Sequence, residues 1–317
     1  MTAATAAATG GRGTPPAVRV AAPAKLNLYL HVTGRRADGY HTLDSLVAFA
    51  GVHDTVVARP AERLRLEIDG SFAAALAGTV KRGRRAGQRA NLVLRAARAL
   101  ARETASPPRA ALRLTKRLPV AAGIGGGSAD AAATLRALCG LWAVAPEAKR
   151  MAAIAATLGA DVPVCMHGRT AFVGGIGELL EPAPRLPAAG LVLANPGVAL
   201  ATRRVFAARA GGFSPAARFH EPAADAAALA ELLHARRNDL EAPAIGLAPG
   251  IREVLAALAA LPGALIARMS GSGATCFALF ADRAAADAAV PALRHGRPGW
   301  WVAAADLLDD ATTVAPE

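Results

Sequence analysis

The sequence predicts an α+β protein of two domains with a cleft between them, and three observations carry that expectation. At 317 residues the chain exceeds what one hydrophobic core usually supports. Hydrophobic residues make up 53% of it, enough to fill two cores. Strand-like and helix-like segments follow one another without the regular alternation that builds a parallel α/β sheet.

Val18 and Val20 flank Arg19, and Leu64, Leu66 and Ile68 alternate with Arg65 and Glu67, both as in half-buried strands. After Asn91 the spacing of Leu92, Leu94, Ala97 and Leu100 predicts an amphipathic helix ending near Ser106-Pro107-Pro108. Leu112 to Leu114 reads as a short strand. A glycine-rich stretch then leads into a helix carrying Leu135, Leu138, Cys139 and Trp142, with Ser128 and Asp130 suited to its start. Met151 to Leu158 predicts another helix, closed by Gly159 and barred from continuing by Pro163. Strands are expected at Thr170 to Val173, Leu191 to Leu193, Leu265 to Arg268, Thr275 to Phe280 and Trp301 to Ala304. Gly211 to Ala230 reads as a loose connection before a helix around Leu232 and Leu233. The expected division is a disordered leader over 1–17, an N-terminal domain over 18–172 and a C-terminal domain over 173–317.

Composition narrows the function. No segment approaches the ~20 consecutive strongly apolar residues of a membrane span. The first seventeen residues lack the basic start and apolar middle of a secretory signal. Cys139, Cys165 and Cys276 show no paired spacing for zinc or disulfides, which suits a reduced, cytoplasmic protein. The net charge of +12 would suit a nucleic-acid binder. Against that, only the run 81–85 forms a dense patch, and aromatic residues at 4% are too few for a stacking surface. No nucleic-acid partner is expected.

The strongest chemical signal is Pro119-Val120-Ala121-Ala122-Gly123-Ile124-Gly125-Gly126-Gly127-Ser128-Ala129. Four glycines at a helix start let backbone amides crowd around one anion, and phosphate suits that environment. No lysine follows the glycines as in a Walker loop, and Ser128 stands where a dinucleotide motif needs its third glycine. Lys116 lies just upstream in a chain with three other lysines. Ser270-Gly271-Ser272-Gly273 reads alone as a tight connection between strands, and paired with the first loop it could close over the same phosphates.

With Pro23-Ala24-Lys25-Leu26-Asn27-Leu28, these two loops make three segments in the order found in GHMP kinases, which the chain resembles. Asp38-Gly39-Tyr40-His41, Gly159-Ala160-Asp161-Val162-Pro163 and Asn195-Pro196-Gly197-Val198 resemble, within that group, the diphosphocytidyl-methylerythritol kinases. The resemblance spans residues 18–280 and departs from the family at Ala129, where many members carry serine. It implies a two-domain kinase with its active site between the domains, phosphorylating the 2-hydroxyl of the cytidyl substrate with ATP and Mg2+. It further implies Asp161 and Lys25 as catalytic residues. Tyr40 and Phe206 would stack on the cytosine, His41 would read its edge, and Asn27 and Thr202 would add hydrogen bonds. The amides of Gly125, Gly126, Gly127 and Ser128 would hold the ATP phosphates, with Asn91 and Lys116 near the nucleoside. No protein ligand for the metal is implied, and the assembly is expected to be a monomer or homodimer. The alternatives are a GHMP kinase acting on homoserine, mevalonate or a sugar, and a basic nucleic-acid-binding protein.

Overall fold

A computed structural model of the chain describes residues 17–77 and 91–316. The expected leader, bar its last residue, and the basic run 81–85 lie outside the described residues.

Two long strands, β1 (Val18–Arg35) and β2 (His41–Arg59), form an antiparallel hairpin whose register runs from Val18 opposite Ala58 to Arg35 opposite His41. Only the first residues of β1 are legible by alternation, because residues 21–32 are buried without interruption. The same continuous burial over 44–50 conceals β2. A strand enclosed on both faces has no polar side to alternate with. Pro23 sits where the register shifts, so its missing N–H falls at an irregularity of the ladder.

The remaining strands are β3 (Arg65–Asp69), β4 (Ala111–Thr115), β5 (Ala171–Gly175), β6 (Leu179–Pro182), β7 (Gly190–Asn195), β8 (Ile266–Met269), β9 (Cys276–Phe280) and β10 (Trp301–Leu308). They join in one sheet ordered β3-β4-β2-β10-β7-β9-β8, with β1 and β5 also paired to β2 and β6 to β5. β10 is the seam, pairing with β2 through Leu307 and Leu308 and with β7 through Trp301 to Asp306. The expected domain boundary at 172/173 falls inside β5.

The helices are α1 (Leu92–Glu103), α2 (Gly126–Trp142), α3 (Ala148–Leu158), α4 (Val162–His167), α5 (Thr202–Ala208), α6 (Ala226–His234), α7 (Glu241–Leu247), α8 (Gly250–Ala259) and α9 (Arg283–Gly296). α3 closes at Leu158 with Gly159 as its cap, as expected, and does not run on through Pro163. A new helix, α4, follows, and it tolerates Pro163 because proline in the first turn loses no intrahelical hydrogen bond. α2 starts two residues earlier than expected, because Gly125 adopts a left-handed conformation and turns the chain straight into the helix.

One core packs α1 and α2 against β2 and β4 through Leu100, Leu114 and Leu135. Another packs α8 and α9 against β7 and β9 through Val192, Val254 and Phe280. Between them, Leu26, Leu28 and Leu46 of the opening hairpin pack with Phe277, Leu279 and Leu307 of the late strands. This shared apolar layer fixes β1 against the loop between β8 and β9, which positions the site.

Candidate active site

Lys25 projects from β1, and its stem and ammonium are almost wholly enclosed, with 4% of the residue exposed. Burying an ammonium is tolerable only when it is paired and hydrogen-bonded. Lys25 Nζ donates to Asn27 Oδ1 at 2.8 Å and lies 3.3 Å from Asp161 Oδ2. Asn27 is itself fixed, since its Nδ2 donates to Ser45 Oγ at 2.8 Å. Asp161 stands at the start of α4 with its side chain 48% exposed, so the Lys25–Asp161 pair is anchored on the lysine side and open on the acid side. Cys165 on α4 lies beneath this pair. Burial pushes its thiol up to about 12, aided by the charge of Asp161, so it stays protonated and inert.

The glycine loop is bound to the same strand. Lys25 N–H donates to Ile124 O at 2.9 Å, and a Cβ on Gly125 would lie 3.1 Å from Lys25 Cε. At the start of α2, Ala129 N–H is satisfied by Gly125 O at 2.8 Å. The amides ahead of it, at Gly126, Gly127 and Ser128, belong to the first turn, where no intrahelical acceptor exists. That cradle fits a phosphate group. Ala129 is buried and turned inward.

The Ser270–Thr275 turn locks onto the loop. Ser270 Oγ donates to Gly123 O at 3.0 Å and accepts from Asn27 N–H at 3.2 Å, while Thr275 N–H donates to Ala122 O at 3.0 Å. A Cβ on Gly123 would meet Ser270 O at 2.5 Å, so this approach requires glycine. The three segments separated in sequence therefore meet at one place.

From there a continuous path leads to the aromatic residues. A Cβ on Gly271 would lie 3.2 Å from Asn27 Oδ1, and Ser272 Oγ bonds Thr202 Oγ1 at 2.9 Å. Thr202 opens α5, and Phe206 follows one turn later. The His41 ring stacks on Phe206, with centroids 5.2 Å apart and planes 24° from parallel. Burial and the Arg35 and Arg209 guanidiniums hold the His41 imidazole below its usual value, leaving it neutral near pH 7 with one donor and one acceptor nitrogen. Tyr40 stands beside it in the hairpin turn, 61% exposed.

Two sequence-predicted residues have side chains already engaged within the protein, and the first is Lys116. Its ammonium is buried between Asp54 Oδ2 at 2.5 Å and Asp130 Oδ2 at 2.8 Å, beneath the glycine loop. Burial works against that charge, but Asp130 and Asp54 outweigh it and hold the lysine above its ordinary value. Asn91 caps α1, its Oδ1 accepting from Val93 N–H at 2.9 Å. Sequence reasoning picked out the Ser270–Gly273 turn through its glycine-rich context without giving its serines individual roles. It missed Ser45 and Asp54, and nothing near Asp54 marks it.

Comparison with known proteins agrees with this geometry. Residues 91–169 match the GHMP kinases N terminal domain and residues 220–297 match the GHMP kinases C terminal family. The 4-diphosphocytidyl-2-C-methyl-D-erythritol kinase of Rhodospirillum rubrum is 55% identical over 294 residues, covering 93% of this chain and 94% of that protein. The kinase of the same name from Paramagnetospirillum magneticum is 55% identical over 91% of this chain and 98% of its own length. A crystal structure of a 4-(cytidine 5'-diphospho)-2C-methyl-D-erythritol kinase superposes with a TM-score of 0.72 at 35% identity, covering 91% of this chain and 98% of that one. Homoserine kinase from Cytophaga hutchinsonii superposes at 0.67 with 18% identity over 95% and 97%, a likeness of fold alone. With more than half of its residues shared over nearly the whole length, and with lysine, glycine loop and acid brought together as described, the chain belongs to the 4-diphosphocytidyl-2-C-methyl-D-erythritol kinase family of GHMP kinases.

Proposed function

We propose that the chain transfers the γ-phosphoryl group of ATP to the 2-hydroxyl of 4-diphosphocytidyl-2-C-methyl-D-erythritol, giving the 2-phosphate and ADP, a step of non-mevalonate isoprenoid precursor synthesis. The observation that carries this reading is the Lys25–Asp161 pair at 3.3 Å, built onto the backbone of the glycine loop. Asp161 accepts the proton of the hydroxyl as its oxygen bonds the γ-phosphorus and the bond to the β-phosphate oxygen breaks. Lys25, held by Asn27, orients that oxygen and offsets the charge around it. The amides of Gly126, Gly127 and Ser128 hold the phosphates. The nucleoside contact of Asn91 belongs to the same proposal.

Magnesium would supply charge neutralisation across the phosphate oxygens. Among the described residues no three His, Cys, Asp or Glu side chains cluster to hold a metal. Phosphate oxygens and water would therefore complete most of its shell, as is usual for this ion. No helix of the described residues is long and apolar enough to cross a membrane. A reduced, cytoplasmic setting belongs to the same proposal and suits the three free cysteines.

At the other end, the cytosine lies between Tyr40 and Phe206, with the neutral His41 reading its polar edge, Thr202 contributing a hydrogen bond on the way and Asn27 bonding the substrate at the Lys25 end. Base stacking is worth roughly 1–3 kcal/mol per ring, so Tyr40→Ala raises KM for the cytidyl substrate about 5- to 150-fold. KM for ATP stays within about two-fold, because Tyr40 shares no partner with the phosphate cradle and connects to it only through His41, Phe206, Thr202 and Ser272. Steady-state kinetics with each substrate varied checks this, and equal changes in both constants would contradict the stacking. The activity itself is tested by turnover on the cytidyl alcohol beside homoserine, mevalonate and galactose. Phosphorylation of one of the latter without the former would overturn the assignment.

A further inference from the structure

Directly beneath the first residue of α2 lies an enclosed cluster of one lysine and two aspartates, with Asp54, Lys116 and Asp130 all within 3% of full burial. A Cβ on Gly126 would sit 3.1 Å from Lys116 Nζ and 3.7 Å from Asp54 Oδ2, so the cluster touches the floor of the phosphate cradle.

The two carboxylates are served unequally. Asp54 Oδ2 accepts from Lys116, and its Oδ1 accepts from the backbone N–H groups of Arg117 at 2.6 Å and Leu118 at 2.9 Å. Asp130 Oδ2 accepts from Lys116 alone, and its Oδ1 is buried with no partner among the described residues. Donors stabilise the ionised form, and enclosure penalises it. Two ionised carboxylates around one ammonium would also leave a net negative charge sealed from water. Of the two, Asp130 is therefore the one built to hold a proton.

We propose that Asp130 is a positioning residue kept protonated in the resting enzyme, so that the cluster under the glycine loop is neutral and the helix N-terminus stays available to the phosphates of ATP. This inference rests on the ATP site proposed above. Asp54 and Asp130 share the Lys116 ammonium, at 2.5 Å and 2.8 Å, so the two carboxyl groups are close neighbours. Besides Asp54 and Lys116, the titratable group facing it is the Cys165 thiol on α4, which stays neutral. Burial pushes the Asp130 carboxyl up to about 8, with Lys116 opposing and Asp54 adding to the rise. Raising the pH through that value removes the proton and places a negative charge beneath the phosphates. Nucleotide affinity then falls.

Two measurements on the full chain test this. In the first, the protein carries 13C-carboxyl aspartate and is titrated by NMR without nucleotide. One aspartate should titrate above about pH 7, and its signal should vanish in Asp130→Asn. In the second, calorimetry follows binding of a nonhydrolysable ATP analogue across the same range. Affinity of the unmodified chain should fall roughly ten-fold as pH rises, while Asp130→Asn, which cannot ionise, should show a flat ratio once the analogue's own ionisation is divided out. Should the Asn variant fail to fold, the unmodified chain still decides, because the midpoint of its affinity loss must match that of the aspartate signal. The inference is overturned if every aspartate titrates below about pH 6, or if variant and parent share one pH dependence. If the analogue binds at no pH, the ATP site itself is wrong, while the NMR titration still decides separately whether Asp130 holds the proton.

Discussion

Asp161→Ala should lower kcat by about 10²- to 10⁴-fold, the usual contribution of a positioned acid or base, with little change in KM for either substrate. The residue is half-exposed, and its side-chain partner is the Lys25 ammonium, which keeps its bond to Asn27 Oδ1 when the carboxylate is gone. The ammonium is nonetheless left buried without its counter-ion, so stability should also fall, by roughly 1–3 kcal/mol. Single-turnover rates and a melting curve on the same preparation check both halves. A variant that turns over at near-parental rate would remove Asp161 from the chemistry, and one that unfolds would show that it holds α4 in place.

Gly123→Ala should abolish activity by a different route. The residue has φ +77°, and a Cβ would meet Ser270 O at 2.5 Å and Gly273 N at 2.7 Å, all backbone that cannot rotate away. The glycine loop and the late turn must then separate, breaking the Ser270 Oγ bond to Gly123 O and shifting Ala122 O away from Thr275 N–H. A loss of roughly 2–4 kcal/mol is expected, combining the strained backbone with the clash. Gly211→Ala is the control, since Gly211 has φ +90° but nothing within 4 Å of an added Cβ. It should cost only the backbone strain of about 1–2 kcal/mol. Urea denaturation midpoints separate the two. Equal losses would mean that the contact between the loops contributes nothing.

What the sequence displays and what it conceals follow from burial. α1 and β3 are legible because each has one wet face, so apolar residues recur at 3.6 or 2 positions. β2 is invisible because residues 44–50 are enclosed on both faces, and nothing alternates there. Lys25, Asp161 and the glycine loop can be named from their motifs, yet their meeting depends on contacts such as Lys25 N–H to Ile124 O that no local pattern encodes. The direction of Lys116 is not legible in sequence, because a lysine beside a glycine loop looks the same whether it reaches up to phosphate or down into the core. Its direction is set by Asp54, 62 residues away, and Asp130, 14 away.

The central claim is spatial. Lys25, the amides at the start of α2, and Asp161 act on one phosphoryl group passing between two bound molecules. The direct measurement is a crystal structure of the chain with a nonhydrolysable ATP analogue and the cytidyl alcohol bound together. The 2-hydroxyl oxygen should lie about 3–3.5 Å from the γ-phosphorus, within hydrogen-bond reach of Asp161 and Lys25. A complex that places the hydroxyl far from the γ-phosphorus, or the triphosphate away from Gly126, Gly127 and Ser128, would contradict it.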